Sequence, residues 1–137
     1  HDQGLCLLEF AERRMLDTQL KRLSQRMGRV FLPGDHPMME KVKKELDAYF
    51  NGTLRQFTGP LQAPGTEFQE SVWTALQAIP YGETRSYADV AEKINHAEAV
   101  RAVGRANGDN RIAIIIPCHR VVGSDGELTG YGGGLWR

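Results

Sequence analysis

What the chain lacks sets the first limits. It has two cysteines in 137 residues, Cys6 and Cys118, too few for a disulfide framework or for a four-ligand metal site of their own. The default reading is therefore a reducing, intracellular compartment: the cytoplasm, or the nucleus in a eukaryote. Its longest apolar run, Ile112 to Ile116, is far short of the roughly 18–20 residues that a membrane helix needs. The polar start, His1-Asp2-Gln3, has no signal-peptide core. Net charge is also missing: 17 basic residues face 17 acidic ones, which excludes a strongly basic arm but not a local nucleic-acid site. His1, His36 and His96 show no ligand spacing with Cys6, so a structural zinc is not expected. A first residue other than Met suggests a fragment or a processed chain.

What is present is well punctuated. Residues 4–11, Gly-Leu-Cys-Leu-Leu-Glu-Phe-Ala, read as a buried strand. Leu16, Leu20, Leu23 and Met27 recur at helical spacing, with Gly28 as the stop. A second amphipathic helix is predicted after Asp35, placing Val42, Leu46, Tyr49 and Phe50 on one face and ending at Asn51-Gly52. The stretch from Gly52 to Gly65 has prolines, glycines and little periodicity, and reads as a linker. The chain thus divides into an α/β N-terminal sub-domain, residues 1–59, and a mainly α C-terminal domain, residues 60–137.

In the second part, Thr66 with Gln69 forms a capping box before a helix carrying Phe68, Val72, Trp73, Leu76 and Ile79, and Pro80-Tyr81-Gly82 ends it. Ser86 with Asp89 repeats the signal for a short helix through Ala88, Ala91 and Ile94. A turn near Asn95-His96 leads to a third helix over about residues 97–107. Short helix, tight turn and an Ala- and Arg-rich helix make a helix-turn-helix pattern, although packed helical hairpins share it.

Cys118 carries the chemistry to be explained. It follows Pro117 and precedes His119 and Arg120, and nearby imidazole or cationic groups favour the thiolate that a nucleophile needs. A buried free cysteine can equally be a small apolar core residue. The residues alone leave both readings open.

Pro117-Cys118-His119-Arg120-Val121-Val122-Gly123, followed by Gly130-Tyr131 and Gly132-Gly133-Gly134-Leu135, resembles the active-site region of the O6-alkylguanine-DNA alkyltransferases. Tyr81-Gly82-Glu83, Ser86-Tyr87, Arg101-Ala102-Val103-Gly104 and Asn110 match in order and spacing, so the resemblance covers about residues 65–137. It implies a monomeric, single-turnover DNA-repair protein with no cofactor. Such a protein binds double-stranded DNA through the minor groove and flips the alkylated guanine outward, since the alkyl carbon within the stack is out of reach of a side chain. Cys118 would take and keep the O6-alkyl group, with O4-alkylthymine as a second substrate. By the same resemblance His119 relays the proton, Asn110 holds the turn, and Tyr87 crowds the phosphate. Arg101 fills the gap left by the base; Ala102, Gly104 and Arg120 lie at the DNA; Val121, Tyr131 and Gly132 line the pocket.

Two departures stand out. Many members have serine where this chain has Gly132, leaving a backbone N–H for O6. The family also completes a Cys–water–His–Glu network with a glutamate beyond the glycine loop, and no residue here matches it. Leu135-Trp136-Arg137 looks like the start of the helix that carries it, so a further tail is expected. Two rivals remain: a non-catalytic module that recognises alkylated DNA, and a cysteine hydrolase, for which no base-and-orienter pair or oxyanion hole can be assembled.

Overall fold

In the computed structural model, which describes residues 3–129, the order of elements follows from local chemistry. Helix α1 (Leu16–Met27) closes on Gly28, whose φ of 61° is the left-handed geometry that glycine adopts without strain. Helix α2 (Pro37–Phe50) starts with Pro at its first position, where no N–H is missed. Its N-cap is His36, one residue later than Asp35, and the imidazole Nδ1 accepts from the Met38 N–H at 3.2 Å. Phe50, predicted on the buried face, is 70% exposed; it lies at the edge of the stripe set by Val42 and Leu46 and stands edge-on to Tyr49.

Helix α3 (Glu67–Gln77) and helix α4 (Tyr87–Lys93) each begin in a complete capping box, Thr66 with Gln69 and Ser86 with Asp89. A turn through Asn95, with φ of 61°, leads to helix α5 (Val100–Gly108), which starts three residues later than its pattern suggested. Strand β1 (Arg85–Ser86) pairs in parallel with β2 (Val121–Val122), Arg85 opposite Val121 and Ser86 opposite Val122. This part is mainly helical.

The core lies where α3, α4 and α5 meet. Val72, Trp73 and Leu76 from α3, Val90 and Ala91 from α4, and Val103 and Ala106 from α5 pack with Ile112, Ile116 and Val121. Burying each large side chain contributes about 1.5–3 kcal/mol. The Trp73 indole N–H donates to the Ala106 carbonyl at 2.9 Å, so the largest core residue also fixes the α3–α5 distance.

The strand predicted over residues 4–11, which would have made the N-terminal sub-domain α/β, is absent among the described residues. Residues 4–11 make two isolated parallel bridges, Leu5 with Leu61 and Leu8 with Ile112. Leu5 exchanges hydrogen bonds with the chain at Pro60 and Gln62, and Leu8 with Arg111 and Ala113. Each bridge reaches a different irregular segment, so no continuous ladder forms. The consequence is that the first residues brace the turn that leads to Cys118.

Candidate functional site

The site is built on that turn. Asn110, 1% exposed, holds it with both ends of its amide. Its Nδ2 donates to the Ile116 carbonyl at 2.8 Å and its Oδ1 accepts from the Ile112 N–H at 3.0 Å. The apolar run Ile112–Ile116 is thereby folded into turns, with Ile114 at a φ of 71°. A branched side chain rarely adopts that conformation, and here the surrounding hydrogen bonds impose it.

Pro117 then starts a single 3₁₀ turn, Cys118–Arg120. The turn makes the carbonyl of Cys118 accept from the Val121 N–H, and the Asn107 side chain donates to the same carbonyl at 3.3 Å. Asn107, at 5% exposure, is a site residue that its sequence pattern did not suggest. Its Oδ1 is buried and meets no donor among the described residues.

Cys118 is 5% exposed. Burial pushes its thiol pKa up, and the Asn110 side chain and the Arg13 guanidinium oppose that shift. His119 is half-buried; burial, followed by the positive charge of Arg120, pulls its pKa down. Its imidazole is therefore neutral near pH 7 and able to accept a proton. Arg120 donates to the Ile79 carbonyl at 2.7 Å and lies 5.7 Å from the centre of the Tyr81 ring. That geometry ties the 3₁₀ turn to the end of α3. A cavity of about 900 Å³ opens there between Trp73, Ile115, Pro117 and Arg120, and Cys118 does not line it.

The other expected residues fall around α4 and α5. Tyr87, at the first position of α4, donates its hydroxyl to the Thr129 carbonyl at 2.9 Å. A Cβ on Gly104 would sit 3.7 Å from the Tyr87 ring, so α5 passes close over α4 at that point. Arg101 and Ala102 are exposed on α5, and Val121 is fully buried beside the turn. Structure thus brings Cys118, His119, Asn110 and Val121 together, with Tyr87 and Gly104 forming the adjoining helix contact. Tyr131 and Gly132 lie outside the described residues. Among those described, no three His, Cys, Asp or Glu side chains converge as metal ligands, and no helix is long and apolar enough to cross a membrane.

Two further residues reach the site from the N-terminal side. Arg13 donates to Glu9 Oε2 at 2.6 Å and also to the carbonyl of Gly108, at the end of α5. The Glu9 and Arg13 side chains are only 2% and 10% exposed. The sequence places them four residues apart, but nothing in that spacing marks a partner 95 positions away.

Comparison with known proteins gives a consistent result. Residues 67–137 match the family model described as 6-O-methylguanine DNA methyltransferase, DNA binding domain. A methylated-DNA–protein-cysteine methyltransferase of Mycolicibacterium paratuberculosis is 61% identical over 94 residues, which are 69% of this chain and 57% of the relative. One from Mycobacterium leprae is 56% identical over 107 residues, covering 78% of this chain and 64% of its own length. The chain thus spans about three fifths of the curated relatives it matches. Among solved structures, Mycobacterium tuberculosis OGT in complex with DNA aligns at 57% identity with a TM-score of 0.68, covering 69% of this chain and 58% of that one. A point variant of the same OGT aligns over 96% of this chain and 74% of that one, at 45% identity and a TM-score of 0.78.

Proposed function

The chain belongs to the 6-O-methylguanine DNA methyltransferase family through residues 67–137, and we propose that it repairs O6-alkylguanine in double-stranded DNA by moving the alkyl group irreversibly to Cys118. The observation that carries this reading is the setting of Cys118. It sits in a one-turn 3₁₀ helix, with His119 next in the chain and its imidazole held neutral, on a loop anchored by two buried asparagines. A core cysteine needs none of that construction.

In the proposed step the Cys118 sulfur attacks the alkyl carbon in line with the O6–carbon bond. The S–C bond forms as the C–O bond breaks, the electron pair leaves on O6, and the guanine regains a proton. The thiol proton departs toward His119, directly or through water. Because burial raises the thiol pKa and lowers that of the imidazole, this relay runs uphill in the resting protein. The departing guanine supplies the final proton acceptor. The thioether that remains has no leaving group as good as guanine, so each molecule acts once.

We take α4, the turn through Asn95, and α5 as a helix-turn-helix whose second helix enters the minor groove. Small exposed surface at Ala102, and Gly104 against Tyr87, let the backbone approach closely, while Arg101 is free to occupy the space of the extruded base. Tyr87 would crowd the flanking phosphate, and the carbonyls of Cys118 and Val121 would accept from the guanine amine. Arg120, bonded to Ile79, would act by positioning the turn. Residues 60–137 form the catalytic and DNA-binding domain in this reading and 1–59 a supporting sub-domain. O4-alkylthymine is a secondary substrate, and the protein works as a monomer wherever the DNA lies. No cofactor takes part.

The test is a Cys118→Ala variant offered a duplex containing O6-methylguanine. It should bind the alkylated duplex and acquire no mass, whereas the unaltered chain acquires one alkyl group. Binding without transfer by the unaltered chain would leave a recognition module. Release of methanol with repeated turnover would point to a hydrolase.

A further inference from the structure

A groove of about 680 Å³ runs between α1 and α5, on the side of α5 that also exposes Arg101. Arg22 and Arg26 enter it from α1, Arg105 from α5, and Arg111 from the segment after α5. Arg22 and Arg26 stand one turn apart, hence on the same helix face. Both are exposed, as is Arg105.

The charge in this groove is poorly balanced. Its one carboxylate is Asp109, whose Oδ2 already accepts from Gln69 at 3.2 Å. The hydrogen bonds that reach these arginines come from neutral carbonyls: Arg26 donates to Gly65 at 2.8 Å, and Arg111 to Pro64. No ion pair holds any of the four among the described residues. Burial, then Arg26 and then Arg22 disfavour the charge on Arg111, while Asp109 and the face of the Trp73 ring, 5.4 Å away, support it. In a chain with zero net charge, four guanidinium groups around one acid are a concentrated exception. The amino end of α3, capped by Thr66, opens into the same groove, where Glu67 and Glu70 of its first turn offset its dipole, so the positive charge there is that of the arginines.

We propose that this groove binds the sugar–phosphate backbone of the duplex whose minor groove α5 enters, so that α1 extends the DNA interface through Arg22 and Arg26. The inference rests on the DNA-repair reading above. Three features favour phosphates over other anions. Ala102 and Arg105 line the groove and belong to the same helix as Arg101, so it is continuous with the proposed DNA surface. Guanidinium groups match phosphate oxygens in paired hydrogen bonds. The remaining lining mixes Gln19, Gln25, Thr66 and Gln69 with the small Ala102 and Ala106, and offers only Phe68 as an aromatic ring. That suits a backbone better than stacked bases or an apolar peptide.

The salt dependence of binding to an O6-methylguanine duplex tests this. Each phosphate contact contributes about 0.9 to the slope of log affinity against log salt. Arg22→Gln/Arg26→Gln should therefore reduce the slope by about 1.8, and Arg22→Gln alone by about 0.9. Arg22→Lys/Arg26→Lys keeps the charge and should keep most of the slope. The single variant guards against misfolding, since Arg26, but not Arg22, holds the Gly65 carbonyl; a melting curve checks each protein. An unchanged slope in the glutamine variants, with the unaltered chain still binding and transferring, overturns the role of α1 and leaves the repair reading intact. Loss of binding to polyglutamate but not to duplex would assign the groove to an acidic protein and equally overturn it. If the unaltered chain neither binds duplex nor takes an alkyl group, the repair reading falls and this inference with it.

Discussion

At the scale of the residue, Cys118 and His119 are both held neutral by burial, the thiol by an upward shift and the imidazole by a downward one. The thiolate is therefore scarce at pH 7, below the few per cent expected for an unperturbed cysteine with a pKa near 8.5. Transfer from free O6-benzylguanine, which removes DNA binding from the measurement, should accelerate from pH 7 to 9 by up to about tenfold per unit. A plateau already reached at pH 7 would mean that the thiol pKa is lowered in the working protein. Arg101 belongs at this scale too. Flipping a base costs a few kcal/mol, so Arg101→Ala should slow repair in duplex DNA roughly 10- to 100-fold while changing the reaction with the free base far less. An equal loss on both substrates would assign Arg101 to the pocket or the fold. The cysteine and its neighbours were legible because their motif is local. Asn107 was not, since its role comes from α5 turning its amide onto a carbonyl eleven positions away.

Elements carried the clearest signals where one side chain satisfies its own backbone. Both capping boxes, and the glycine that closes α1, depend on residues no more than five apart and were readable directly. The N-terminal strand was not, because a short continuous apolar segment does not show whether a ladder awaits it; Leu5 and Leu8 find one partner each. Ser86 joins the two kinds of order. It caps α4 and pairs with Val122 in β2, two residues after the 3₁₀ turn. Ser86→Ala should lose about 0.5–2 kcal/mol of stability, read as a lower melting temperature. Because Tyr87 rides on the same turn, duplex repair should suffer more than transfer from the free base. An unchanged melting temperature would mean that the cap contributes nothing to the folded state.

Across the whole molecule, residues 5–13 reach the turn that carries Cys118 rather than forming a layer of their own. Leu8 bridges to Ile112, and Arg13 joins the buried Glu9 to the last carbonyl of α5. Arg13→Met removes the ion pair with Glu9 and the bond to the Gly108 carbonyl together, and losing one member of a buried ion pair costs about 3–5 kcal/mol. Arg13→Met should therefore destabilise the protein by that order in urea unfolding, whereas a change below about 1 kcal/mol would place the pair among ordinary surface ion pairs. Contacts of this span could not be read from composition or periodicity, because neither specifies which distant carbonyl an arginine will meet. The central claim is more local than this bracing: one buried cysteine accepts the alkyl group and keeps it. Intact-mass measurement followed by peptide mapping, after incubation with excess O6-methylguanine duplex, tests it most directly. One methyl group per molecule on the peptide containing Cys118 is the expected result; a methyl group on Cys6, or none retained while the duplex is repaired, would contradict it.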